Sequence, residues 1–453
     1  MTAPPTPPLG ATRRQFLRWS AASVAALSVP GLLAACASSG DVRTVRSGRV
    51  TLDFWTHDDG YVQFFTDSIG VADAATRYRY RLDVTKIGAA DLVTKLLAQA
   101  VAEAGTPDVA GFEIGNFARM LRGDITEELL VDLSAIRDRF GDDLIQARVA
   151  PFSKNGKLYA LDSDSPLVVQ YYREDLFRRD GLALETPETW SAFLDDAEKV
   201  ARKRGTKFGA VGVGSDLGQV LQGFQIPLMQ NGGNLFDADG RLAIETPEAE
   251  RALAFLVDGI RRGVFTTVTD LYGGSIQAAL KSGELAAIAM PSWYAAYGIK
   301  PNVPDQSGKW RIRALPRFTA DGSRTSVGGG TGFGALRGKP NTQAATQFIE
   351  AIYLSKEQQV ARYKALGYLP TLRSVYKDPE LLGLEDTYFG GQRLFQVYAD
   401  VIDEIPPYYQ SADMSILQTV LSGSLLDAYR GRRTPSEALS EAADAFRGQT
   451  RAA

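Results

Sequence analysis

From Val50 the chain alternates between two hydrophobic periods, and that alternation restricts it to an α/β architecture. Val50-Thr51-Leu52-Asp53-Phe54-Trp55 has the period of two expected of a strand and gives way abruptly to Thr56-His57-Asp58-Asp59-Gly60. A second strand, Tyr80 to Ile87, leads into a helix. There Leu92, Val93, Leu96, Leu97, Ala100 and Val101 recur at helical spacing until Gly105 stops it. Pro107 to Glu113 reads as a third, short strand with Phe112 and Glu113 at its C-terminal end. Strand, helix, strand with polar residues at the strand ends is the βαβ layout, in which ligands sit beyond the carboxyl ends of the strands. At 453 residues the chain is too long for one core and divides into two lobes or domains.

The stretch Gly156 to Phe177 punctuates this pattern. Gly156-Lys157-Leu158-Tyr159-Ala160-Leu161 is a short strand, Asp162-Ser163-Asp164-Ser165 a polar kink closed by Pro166, and Leu167 to Tyr172 a second apolar strand. A kink rich in oxygens between two buried strands suits a hinge or a cleft floor. Tyr171 and Tyr172 point to opposite faces if the segment is a strand, so at most one can face a cleft. Beyond it, Thr186-Pro187 and Thr246-Pro247 read as caps of helices, and Phe208 to Val213 and Leu285 to Met290 as strands. Arg311 to Arg317 is a further strand. Ser355 to Gln358 and Thr434 to Glu437 are capping boxes.

The first 36 residues are of another kind. Arg13-Arg14 precedes an uncharged run, Trp19 to Ala35, which ends in Leu33-Ala34-Ala35-Cys36. This is the order of an export signal, and the run is too mild for a stable membrane span. The paired arginines resemble a twin-arginine signal and Leu-Ala-Ala-Cys resembles a bacterial lipobox. The resemblance implies a signal peptide over 1–35, an acylated Cys36 and anchoring at a membrane face. Residues 36–49 then read as a lipidated flexible tether. Loss of residues 1–35 removes Arg13, Arg14 and Arg18 and no acid, so the mature chain is more acidic than the −3 of the whole.

That charge gives no basic footprint for nucleic acid. One cysteine and one histidine leave no intrachain disulfide and no Cys/His zinc cluster. His57 is all that a Ser-His-Asp or Cys-His site could draw on. Gly330-Thr331-Gly332-Phe333-Gly334-Ala335 fits a lone dinucleotide-binding pattern, but Lys339-Pro340 places the next helix start after it, so the pattern is set aside. No cofactor and no metal are expected.

In order and spacing the landmarks from Phe54-Trp55-Thr56 onward resemble the extracellular solute-binding proteins (family 1, sugar-binding lipoproteins) of bacterial carbohydrate ABC transporters. They are Pro107-Asp108-Val109, Gly156-Lys157-Leu158-Tyr159, Tyr172-Arg173-Glu174-Asp175-Leu176-Phe177, Thr189-Trp190, Asn231-Gly232-Gly233, Ser292-Trp293, Leu315-Pro316, Gly328-Gly329-Gly330 and Gly367-Tyr368-Leu369-Pro370-Thr371. The resemblance implies a two-lobed periplasmic-binding-protein-like fold (type II) with discontinuous lobes: 50–158 and 318–355 in lobe I, 159–317 and 356–453 in lobe II. Crossings would lie near 157–165, 312–318 and 353–360. It further implies a carbohydrate ligand, an oligosaccharide or related polyol, passed to membrane permease subunits by a monomer that catalyses nothing.

Sugars offer apolar C–H faces and many hydroxyls, so rings, carboxylates and amides suit them. By position the resemblance points to His57, Asp58 and Asp59 after the first strand, and to Phe112, Glu113 and Asn116 after the third. It also points to Asp164 and Ser165 in the kink, to Tyr172, and to Trp293 as a stacking plate. Gly329 and Gly330 would be backbone donors; Tyr368 and Tyr408 complete the set. The sequence departs from common family patterns at His57 and at Asp162, where a proline is common. Two rival readings remain open. One is a secreted carbohydrate-active enzyme with paired carboxylates such as Glu113 and Asp164. The other is a binding protein for a phosphorylated polyol or a polyamine, which a cationic or an acidic pocket respectively would mark; Arg362 and Arg373 keep the anionic option.

Overall fold

The computed structural model describes residues 44–451; the paired arginines, the signal segment and Cys36 lie outside the described residues. Twelve strands are found among them: β1 (Gly48–Thr56), β2 (Tyr78–Lys86), β3 (Val109–Glu113), β4 (Ser153–Lys154), β5 (Lys157–Leu158), β6 (Leu161–Asp162), β7 (Val168–Arg173), β8 (Ala210–Gly212), β9 (Thr266–Val268), β10 (Ala287–Pro291), β11 (Trp310–Arg313) and β12 (Thr331–Ala335). β1 starts inside the stretch expected as tether, and the Val45 N–H donates to the Pro340 carbonyl at 2.9 Å.

One five-stranded sheet runs β2-β1-β3-β12-β6, with β1 parallel to both β2 and β3, and β12 antiparallel to β3 and β6. This is the sheet of lobe I. Val50, Leu52 and Phe54 line one face of β1, and Phe54 packs against Phe65, Phe333 and Phe348 at 4.5, 5.5 and 6.2 Å between ring centroids. On the other face Trp55 is buried too, with the Lys95 ammonium 4.5 Å from its ring. A strand covered on both sides is what a parallel sheet requires.

Lobe II is built around β10-β7-β11, antiparallel throughout, with the parallel pair β8-β9 joined to it by the single bridge Lys207–Leu285. The helices Trp190–Arg204, Leu217–Gln230, Pro247–Arg261, Met414–Tyr429 and Pro435–Arg451 bury their apolar faces in its core. Thr246 caps as expected, accepting from the Ala249 N–H at 3.2 Å, and Thr434 and Glu437 close a reciprocal capping box. The helix after Pro187 starts later than expected: Thr189, not Thr186, accepts from Ala192 N–H, while Thr186 donates to the Ala314 carbonyl. Gly330 to Ala335 is not a phosphate loop; β12 occupies it and the next helix, Thr342–Tyr353, begins well after.

The chain passes from one sheet to the other between Asp162 and Val168, inside the kink. It returns later than 312–318: Val327 still bridges Leu167, and β12 begins at Thr331, so Gly328, Gly329 and Gly330 form the return. After 353–360 the chain is still on lobe I, where Leu372 bridges Leu144; Gln392 then pairs with both backbone groups of Ile312 on lobe II. No helix among the described residues is long and apolar enough to cross a membrane.

Candidate functional site

A cleft of about 690 Å³ opens where the two crossings meet the strand ends. Lobe I contributes its polar side. The helix Asp59–Asp67 starts directly after β1 because Asp58 accepts from the Gly60 and Tyr61 N–H groups, at 2.7 and 3.3 Å. That cap fixes His57, Asp58 and Asp59 at the rim and turns Tyr61 inward. Asp59 is exposed and ion-paired with Lys86. His57 Nε2 lies 3.4 Å from Thr331 Oγ1, and burial pushes its imidazole below the ordinary value, so the ring is neutral at pH 7.

At the end of β3, Glu113 lines the cleft floor. Its Oε2 accepts from both the backbone N–H and the Nδ2 of Asn116, at 3.0 and 2.9 Å. Asn116 therefore orients Glu113 and is absent from the lining. Burial raises the Glu113 carboxyl, partly offset by hydrogen bonds from Gly115 and Asn116.

The crossing supplies Asp164, Gly329, Gly330 and Thr331. Asp162, Ser163, Asp164 and Ser165 are all buried; the first three have oxygens engaged by neighbours, while Ser165 Oγ has no hydrogen-bond partner. The Arg148 guanidinium, 2% exposed, donates from Nε to Asp162 Oδ2 at 2.6 Å and to the Asp164 carbonyl at 3.2 Å. Its Nη2 reaches the Gly329 carbonyl at 3.2 Å, so one side chain ties the two crossing strands together. Asp164 Oδ1 accepts from the Leu369 N–H at 2.9 Å, and Tyr61 Oη lies 2.6 Å from Ser163 Oγ. Burial raises Asp162 to about 6 and Asp164 to about 7; the Asp162 charge adds to the latter and Arg148 opposes both.

Lobe II provides the opposite wall. β10 ends at Pro291, and Trp293 stands clear of it, half-buried, with Nε1 donating to the Gly328 carbonyl at 3.0 Å. Tyr272 and Tyr297 flank it at 5.7 and 6.2 Å between centroids. Tyr297 is 60% exposed, which sets it at the mouth. Tyr272 Oη donates to Gln222 Oε1, the amide of this wall. Tyr368 and Tyr61, 5.2 Å apart, put rings on the lobe I side as well.

Nine of the residues expected from the sequence thus share one cleft: His57, Asp58, Asp59, Glu113, Asp164, Trp293, Gly329, Gly330 and Tyr368. Five do not line it. Phe112 is buried against Phe117, Asn116 serves Glu113, and Ser165 is buried in the crossing. Tyr172 is buried in the lobe II core, 4.9 Å from Phe177 and with the Arg313 guanidinium 5.0 Å from its ring. Tyr408 is buried as well. Tyr61, Gln222, Tyr272 and Tyr297 line the cleft without having been expected. Tyr297 alone carried a local signal, standing one helical turn after Trp293.

Among the described residues, no lysine or arginine lines the cleft. Arg362 is fully buried with its guanidinium 5.0 Å from the Tyr353 ring, and Arg373 pairs with Asp403 at the surface. No group of three or more His, Cys, Asp or Glu among the described residues could hold a metal ion.

The chain matches the family model of the bacterial extracellular solute-binding proteins over residues 71–382. An arabinooligosaccharide-binding protein of Bacillus subtilis (strain 168) is 27% identical over 425 residues, covering 91% of this chain and 95% of that protein. The solved structure of the cyclic alpha-maltosyl-1,6-maltose binding protein from Arthrobacter globiformis aligns with a TM-score of 0.72 at 20% identity, covering 90% of this chain and all of that one. The galacto-N-biose-/lacto-N-biose I-binding protein of Bifidobacterium longum, in complex with lacto-N-biose, aligns with a TM-score of 0.72 at 17% identity, covering 90% and 98%. The two-lobed α/β fold of these structures is the fold of this chain.

Proposed function

Because the chain belongs to the family of bacterial extracellular solute-binding proteins, we propose that its cleft captures an uncharged oligosaccharide and hands it to the permease of an ABC transporter. The observation that carries this reading is the asymmetry of the cleft. Rings of Tyr272, Trp293 and Tyr297 form one wall and the carboxylates of Asp58, Glu113 and Asp164 the other, with no cation between them. A sugar ring placed there stacks its C–H face on lobe II and gives its hydroxyl hydrogens to lobe I. A phosphorylated polyol would meet carboxyl groups and no lysine or arginine among the described lining residues, so its charge would be desolvated there without a cation to compensate.

Capture works by population shift. A ligand that touches both walls gains its full contacts only in the closed arrangement and stabilises it by that difference. The permease reads closure. Export through the paired-arginine signal and acylation of Cys36 would hold the protein, as a monomer, at the outer face of the cell membrane. Support for an enzyme is weaker: Glu113 and Asp164 both belong to the lobe I side of the cleft, and each is engaged by neighbours that orient an acceptor.

A thermal-shift screen of the chain without its first 36 residues tests this. Arabino-oligosaccharides head the panel, since the Bacillus subtilis relative is an arabinooligosaccharide-binding protein; malto-oligosaccharides, galactobiosides and glycerol 3-phosphate complete it. A sugar at a hundred times its Kd adds about 2.7 kcal/mol of apparent stability and is recovered intact. A shift with glycerol 3-phosphate alone, or a sugar recovered in pieces, overturns the proposal.

A further inference from the structure

The segments that wall the cleft also wall a second hollow. Trp293 and Tyr297 line the cleft, whereas Ser292 and Lys300, from the same stretch of chain, line an adjoining chamber of about 280 Å³. The second boundary segment behaves alike: Tyr363 and Lys364 line the chamber and Tyr368 the cleft. Ala296, Ala365 and Leu366 line both. These three residues form the ridge between the hollows. Ala296 and Ala365 are exposed alanines, and a Cβ added at Gly367 would come within 3.9 Å of the Ala296 Cβ. Of the three residues shared by the two linings, Leu366 is the only one larger than alanine.

The chamber is chemically furnished for a polar ligand. Ser292 is 2% exposed and its Oγ has no hydrogen-bond partner. A buried hydroxyl left without a partner is unfavourable, and a ligand hydroxyl would satisfy it. Lys300 and Asp386 form an ion pair at 2.6 Å in the lining, beside Tyr363 and Tyr398. A buried hydroxyl, two ammonium groups (Lys300 and Lys364), two carboxylates (Glu385 and Asp386) and two phenol rings around one hollow repeat the groups of the cleft itself, rings beside acceptors, with two cations added.

We infer that the chamber is a second saccharide site, continuous with the cleft across the Ala296–Ala365 ridge, so that the ligand is an oligosaccharide with one end lodged in the chamber. The inference rests on the carbohydrate reading of the cleft. It assigns a length requirement: the ligand is longer than the cleft alone accommodates.

Calorimetric titration of the full chain in detergent, with graded ladders of arabino-oligosaccharides and malto-oligosaccharides, tests it. In the ladder that binds, affinity steps up at least tenfold once the ligand is long enough to cross the ridge. Ala365→Trp and Ala296→Trp stand on opposite sides of the ridge at exposed positions, and each abolishes the step. Either variant suffices if the other fails to show a wild-type melting transition. An affinity flat with length in the wild type, or a step that survives in the folded Trp variants, overturns the chamber and leaves the cleft reading standing. Silence at every length in both ladders, with galactobiosides silent as well, overturns the chamber together with the carbohydrate reading beneath it.

Discussion

Trp293 has two jobs, offering a ring face to the cleft and a donor to the Gly328 carbonyl. Substitution can separate them. Trp293→Ala loses both, and its sugar affinity falls at least tenfold, which is about 1.4 kcal/mol; Trp293→Phe keeps a ring and falls less. Calorimetric titration of the two against wild type ranks the contributions. Asp164 carries a prediction about pH. Its carboxyl, like that of Asp162, is raised by burial, so the folded chain holds those protons more tightly than the unfolded one. The stability these groups contribute is complete below about pH 4, and is lost as pH rises through about 6 for Asp162 and about 7 for Asp164. The melting temperature of Asp164→Asn relative to wild type therefore moves in the variant's favour between pH 5 and pH 8, with a slope of at most about 1.4 kcal/mol per pH unit. A difference independent of pH would mean that Asp164 titrates as it does in the unfolded chain.

Among the elements, the returning crossing is the most tightly constrained. Gly330 has φ +125°, and a Cβ there would collide with the Arg148 guanidinium that bonds Asp162 and the Gly329 carbonyl. Gly330→Ala should cost about 1–3 kcal/mol of stability and weaken binding as well, read as a lowered melting temperature and a raised Kd in the same preparation. The sequence showed why this element matters without showing how. The Asp-Ser kink marked a crossing because its composition fits neither strand nor helix, whereas the triple glycine was expected to offer backbone donors and not to carry the return, which was placed at 312–318. Arg148, which joins the two, ends a single short turn with no pattern to single it out. Strand ends were legible for the same reason, since the alternating β1 and the short apolar β3 and β10 each give way to polar or Pro-Ser residues, delivering His57, Glu113 and Trp293. Tyr172 misled because its strand is buried on both faces, so alternation assigns Tyr171 and Tyr172 to different sides and neither side is the cleft. Gln222 and Tyr272 come from separate elements that meet only in three dimensions, and periodicity carries no trace of such a meeting.

At the scale of the whole molecule, the lobes touch beyond the crossings. Arg122, after β3, donates to the Ala412 carbonyl and forms an ion pair of 2.7 Å with Asp413 at the foot of the helix Met414–Tyr429. An exposed pair of this kind is worth about 0.2–1 kcal/mol, so Arg122→Ala shifts the balance between open and closed arrangements without unfolding either. Small-angle scattering should show a larger mean radius of gyration for the unliganded variant than for the wild type, and the same radius for both at saturating sugar. A variant with the wild-type radius in the absence of ligand would mean that the pair plays no part in closure. The Val45 N–H, bonded to the Pro340 carbonyl, fixes where the N-terminal segment leaves the fold: on lobe I, beside the start of the helix Thr342–Tyr353. The proposed anchor at Cys36 would therefore hold the molecule by lobe I and leave lobe II the freer of the two. Were the chain held through that segment, closure would carry Tyr272, Trp293 and Tyr297 of lobe II towards the carboxylates of lobe I, and lobe II would travel the further of the two.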